Sequence, residues 1–171
     1  MKWIALSLLL ILTTTAASAL PVMEGTDLRN GRSVHWPVDK ASVVVFLSPQ
    51  CPCSISHEPV LADLAQRYPQ VPFVGVVSNA ASGSEKHYAL MPFPVISEKA
   101  HAWADGFSAL NTPHAFLVDA QGNVLFQGGV DDSRDALRAK QGYLAQALAE
   151  VAQGKPVSVK AARPLGCAIR R

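Results

Sequence analysis

Cysteine is scarce in this 171-residue chain: three residues, at positions 51, 53 and 167. That count is odd and too low for a scaffold built on disulfides. An excess of one charge is also missing, because 15 Lys and Arg stand against 13 Asp and Glu for a formal net charge of +2. The basic residues form no long cluster, and the Arg170-Arg171 pair alone is a weak argument for nucleic acid, so no nucleic-acid partner is expected. A glycine-rich nucleotide loop is lacking too. Gly128-Gly129 ends a hairpin pattern without a phosphate-binding context, and no cofactor is expected. Finally, no apolar run reaches the roughly 20 residues that cross a bilayer comfortably. The longest, from Trp3 to Leu12, falls well short.

That run does have another reading. Lys2 precedes it, and a softer stretch follows, ending in Ala17-Ser18-Ala19. A charged start, an apolar middle and a small-residue end make a signal peptide, with cleavage expected after Ala19. No cysteine sits at the cleavage position, which argues against a lipid anchor; an uncleaved membrane anchor is the alternative. The expected division is 1–19 signal peptide, 20–154 one domain with an N-terminal arm, and 155–171 a C-terminal tail. The mature chain is long enough for one domain with a real core. It is expected in the periplasm or otherwise outside the cytoplasm, with no stable membrane span after cleavage.

Along the mature chain, residues 21–37 are polar with interspersed Gly and Pro and read as an irregular arm. Val43-Val44-Val45-Phe46-Leu47 is a nearly continuous apolar run, as in a strand covered on both faces. Ser48-Pro49-Gln50-Cys51-Pro52-Cys53 breaks it. Helical spacing over 55–68 puts Val60, Leu61, Leu64 and Ala65 on one face, and Pro69 stops it. A strand over 71–77, a short helix over 82–90, an edge strand over 93–96 and a helix over 100–107 follow, the edge position suggested by Pro94. A strand over 114–118 and its return over 124–127 make a hairpin around residues 119–123. The last helix is expected over 133–153, weakened at Gly142, with Asp131, Asp132 and Asp135 capping or solvating it. Strands alternating with helices, then a hairpin and a helix, imply an α/β fold: a central mixed sheet flanked by helices.

The chemistry concentrates at Cys51, which follows a buried strand and opens a helix. Unpaired N–H groups at a helix start stabilise a thiolate, the nucleophile of disulfide exchange and peroxide reduction. Pro52 falls in the first turn, where its missing N–H costs little. Cys53 is the nearest partner for Cys51, although a bond two residues apart needs local distortion. Cys167, in the tail after the last helix, is the alternative resolving partner. His57 lies four residues after Cys53 and would share its helix face. Cys51, Cys53 and His57 are therefore a candidate copper or zinc set. Inert core cysteines and a packing histidine are the plainer readings of the same residues. Thr112-Pro113 precedes a buried strand, where a cis bond would turn the backbone toward the cysteine loop. Its exposed backbone would then align an incoming disulfide as an added strand.

With these pieces in place, the chain resembles the thioredoxin-like superfamily over about residues 33–153, especially exported redoxins of the TlpA and AhpC/TSA types. Cys51-Pro52-Cys53-Ser54 with His57, and the tail around Cys167, resemble a CPCS-type bacterial subgroup. The resemblance implies a mixed sheet with flanking helices, an attacking cysteine at Cys51 and a substrate-holding cis-proline at Pro113, supported by Thr112. Two departures stand out. The second cysteine of a C-x-x-C loop is replaced by Ser54. Of the peroxiredoxin pattern P-x-x-x-T/S-x-x-C, Ser48 and Cys51 match, but Val44 stands at the proline. The expected function is thiol–disulfide exchange through Cys51, with a thiol or disulfide substrate and a separate redox partner. A thiol peroxidase, with the Ser48 hydroxyl near the peroxide, and metal handling without turnover are the alternatives.

Overall fold

The computed structural model describes residues 23–36, 39–78 and 83–171. The expected signal peptide at 1–19 lies outside the described residues. Among the described residues, no helix is long and apolar enough to cross a membrane.

A seven-stranded mixed sheet forms the centre of the fold. Its strands are β1 (Met23–Asp27), β2 (Ser33–Trp36), β3 (Ser42–Leu47), β4 (Phe73–Val77), β5 (Val95–Ser97), β7 (His114–Val118) and β8 (Val124–Gly128), in the order β2-β1-β5-β4-β3-β7-β8. A two-residue strand, β6 (Asn111–Thr112), stands outside this sheet and pairs with β9 (Cys167–Ala168). Strands β3, β4 and β5 run parallel; the outer pairings are antiparallel.

The apolar run at 43–47 explains the layering. Successive side chains of a strand point to opposite faces, so an unbroken apolar strand needs cover on both. Val43, Val45 and Leu47 enter one core with Leu61 and Leu64 of α1 (Pro52–Arg67) and Leu144 and Leu148 of α4 (Tyr143–Ala152). Val44 and Phe46 enter the other, with Phe107, Phe116 and Trp103 of α3 (Ala102–Gly106). Each such side chain, fully buried, contributes about 1.5–3 kcal/mol. A short helix, α2 (Ser84–Tyr88), completes the helical set.

Several expectations are corrected. Residues 23–36 are not an irregular arm but a hairpin that extends the sheet, with Gly25 opposite Val34. That hairpin pairs with β5, so the strand after Pro94 is internal rather than an edge. Pro94 is accommodated because only its carbonyl is used, accepting from Gly75 N at 2.8 Å. The last helix does not begin at 133. A 3-10 turn spans Ala136–Arg138, and α4 starts after Gly142. Asp131 and Asp132 do not cap α4: Asp132 accepts from Lys140 N and Gln141 N in the preceding loop, and Asp131 turns inward.

The tail is built into the fold. Val157 is buried in the α1–α4 core and Ile169 in the opposite one. Between them the chain follows the outer edge of β8, where Gln127 N donates to Lys160 O and Ala162 N donates to Gln127 O. Gly128 permits this approach, because a Cβ there would sit 2.3 Å from the Ala162 oxygen.

Candidate active site

Strand β3 delivers the chain into a tight turn at Ser48. Cys51 N donates to Ser48 O at 3.2 Å, and Gln50 N to the Ser48 hydroxyl at 3.3 Å. The buried Ser54 hydroxyl accepts from Ser48 N at 3.0 Å, tying the first helical turn back to the strand end. Cys51 is the N-cap of α1 in extended conformation, and Pro52 occupies the first helical position. Its sulfur is therefore held at a helix N-terminus, where unpaired amides favour negative charge.

Cys51 is joined by a disulfide to Cys167, with Cα atoms 5.9 Å apart. Cys53 is the free cysteine. The nearest partner in sequence is thus not the bonded one. Cys53 lies in the first turn of α1, whereas β9 carries Cys167 to Cys51 from across the fold. Cys51 is 1% exposed, while Cys167 is open to solvent.

The register of β9 explains how Cys167 is aimed. Thr112 pairs with Cys167 and Asn111 with Ala168. The Thr112-Pro113 bond is cis, and the Thr112 carbonyl oxygen lies 3.0 Å from Cys51 Sγ. Asn111 Nδ2 donates to Gly166 O at 3.2 Å, and Ile169 N to Leu110 O at 2.9 Å. A Cβ on Gly166 would fall 2.0 Å from the Thr112 oxygen, so only glycine fits there. Beyond Cys167, Ile169 is buried and Arg171 is fixed to Asp105 and to the carbonyls of Ala104 and Ala109. The tail thus occupies the added-strand position beside Pro113.

His57 takes a different place from the one its spacing suggests. Nδ1 donates to the Cys53 carbonyl at 2.6 Å, with the Ser56 hydroxyl at 3.1 Å. Nε2 lies 3.0 Å from the buried Asp131 carboxylate. Both ring nitrogens face these partners, and the side chains grouped at metal-ligating distance are those of Cys51, Cys53 and Cys167, without His57. It clamps the first turn of α1 to the loop after β8. Asp131, whose other oxygen accepts from Ser133 N, was not legible as its partner because the two residues stand 74 positions apart in sequence.

His114 begins β7 directly after Pro113 and is buried against Phe116. Burial pushes its imidazole down from the usual 6.5 to about 4. The neutral ring accepts from Leu110 N through Nδ1 at 3.2 Å, steadying the segment that β9 pairs with. Beside the disulfide is a cavity of about 40 Å³ lined by Leu47, Ser48, Ser78, Thr112, Cys167, Ala168 and Ile169. The buried Ser78 hydroxyl has no hydrogen-bond partner among the described residues.

A mixed sheet between helices, a cysteine at the start of the first long helix and a cis-proline facing it define a thioredoxin-like fold. Solved structures agree. The chain is similar to an uncharacterised conserved protein from Geobacillus kaustophilus, at 26% identity over 90% of each chain with a TM-score of 0.81. It is similar to a hypothetical protein from Sinorhizobium meliloti 1021, at 24% identity over 92% of this chain and 94% of the other, TM-score 0.76. A looser likeness, 22% identity over 60% of this chain and 79% of the other with a TM-score of 0.53, is to a secreted Mycobacterium tuberculosis disulfide oxidoreductase described as homologous to E. coli DsbE. No family model and no curated protein matches the chain.

Proposed function

We propose that the protein is an exported thiol–disulfide oxidoreductase in which Cys51 attacks and Cys167 resolves. The observation that carries this reading is the pairing of Cys167 with Thr112, which lays the tail sulfur on Cys51. In the reduced protein the Cys51 thiolate attacks a substrate disulfide, expels one substrate thiolate and forms a mixed disulfide. Cys167 then attacks Cys51 Sγ, expels the second substrate thiolate and closes the internal bond. Two electrons pass to the substrate, and a partner dithiol returns them. Because the tail fills the added-strand position, small disulfides are favoured over extended polypeptides. Export rests on the N-terminal signal pattern.

The test is turnover of a small disulfide by single-cysteine variants. Cys51→Ala is expected to lose turnover, and Cys167→Ser to accumulate the mixed disulfide at Cys51. Full turnover by Cys51→Ala would sink the proposal. A second reading, reduction of hydroperoxides, is favoured by the small cavity and by the Ser78 hydroxyl beside the disulfide, which has no hydrogen-bond partner among the described residues. Oxidation of Cys51 by hydrogen peroxide outpacing its exchange with a small disulfide would select that reading.

A further inference from the structure

The exchange scheme uses two thiols, yet three sulfurs meet at this site. The sulfurs of Cys51, Cys53 and Cys167 all lie within 4.8 Å of one another. Three sulfurs bound about 2.3 Å from one central ion stand about 4 Å apart, so small side-chain rotations bring this trio to ligating distance once the disulfide is open.

We propose that the reduced protein holds one copper(I) ion between the thiolates of Cys51, Cys53 and Cys167. The donor set decides the metal. Thiolates select soft ions such as copper(I), whereas structural zinc wants four protein ligands. The group consists of cysteines alone. His57, the fourth ligand that spacing suggests, is committed through both nitrogens to Cys53 O and Asp131. His114 has its Nδ1 engaged by Leu110 N. Three thiolates without an imidazole suit a trigonal monovalent ion.

The site and the disulfide exclude each other. A dithiol reductant opens the Cys51–Cys167 bond, becomes a disulfide itself, and leaves two thiols. Copper(I) then binds the three sulfurs and displaces their protons. A disulfide oxidant takes two electrons from Cys51 and Cys167, rejoins them, and leaves Cys53 as the sole ligand. The ion is released still monovalent. Oxidation state therefore gates metal retention.

The experiment titrates the full chain, reduced with a phosphine, against copper(I) held by a coloured chelator in the absence of oxygen. One ion per chain is expected, with Cys53→Ser and Cys167→Ser each weakening binding about a hundredfold. The disulfide form should take up none. X-ray absorption of the loaded protein should record three sulfur neighbours. Unchanged affinity in Cys53→Ser, a nitrogen neighbour, uptake by the oxidised form, or tighter binding of zinc would overturn the proposal. Metal uptake is read without any disulfide substrate, so its failure is distinct from failure of the exchange reaction.

Discussion

At the scale of the residue, Gly166 and His114 shape the site without supplying sulfur. Gly166 is there because nothing larger clears the Thr112 oxygen. Gly166→Ala is expected to push Cys167 out of line and slow closure of the Cys51–Cys167 bond about tenfold or more, read by quenched alkylation after an oxidant pulse. His114 gives a pH signature. Its folded value is about 4 against 6.5 ordinarily, so between those values the unfolded chain binds the extra proton. Its contribution is intact above pH 6.5 and is lost as pH falls toward 4, up to about 3 kcal/mol in all. His114→Asn, which keeps an acceptor for Leu110 N, is expected to flatten the fall of Tm with pH over that window. An equal fall in both proteins would contradict the assignment. Cys51 was legible from its strand-to-helix position, as was Pro113. The choice of Cys167 over Cys53 was not, because β-pairing between residues 112 and 167 leaves no local trace.

At the scale of the element, α1 is the carrier of the site and its start is pinned twice. Ser54 ties it to the end of β3, and His57 ties it to Asp131. Removing the carboxylate leaves a buried ring nitrogen without its partner, which costs more than an ordinary surface change. Asp131→Ala is accordingly expected to cost about 1–3 kcal/mol in chemical denaturation. An unchanged midpoint would mean that the clamp does not hold α1. Elements with a strong internal pattern were readable: the unbroken apolar β3, and α1 with Leu61 and Leu64 on one face. The β1–β2 hairpin was not, because its residues include Glu24, Gly25, Thr26 and Asp27, and it owes its conformation to pairing with β5. α4 starts later than its pattern suggests because the stretch at 131–142 spends its polar groups on local turns, with Asp132 and Asp135 bonding nearby amides.

At the scale of the whole molecule, the tail joins the two cores and covers the open side of β8 before it reaches the site. A free edge strand invites pairing with other chains, and the stretch ending in Ala162 blunts this one. Gly128-Gly129, uninformative as a motif, makes room for that crossing. Ile169 and Arg171 lock the far end, so Cys167 is held from both sides. Ile169→Asp is expected to loosen the tail and admit cysteine-bearing peptides as exchange substrates, measured as a gain in peptide turnover relative to a small disulfide. No gain would mean that the tail does not govern access. The most direct single measurement is disulfide mapping of the air-oxidised protein by proteolysis and mass spectrometry under non-reducing conditions. A Cys51–Cys167 cross-link with Cys53 open to alkylation is the expected result. A Cys51–Cys53 bond with Cys167 free would contradict the central claim.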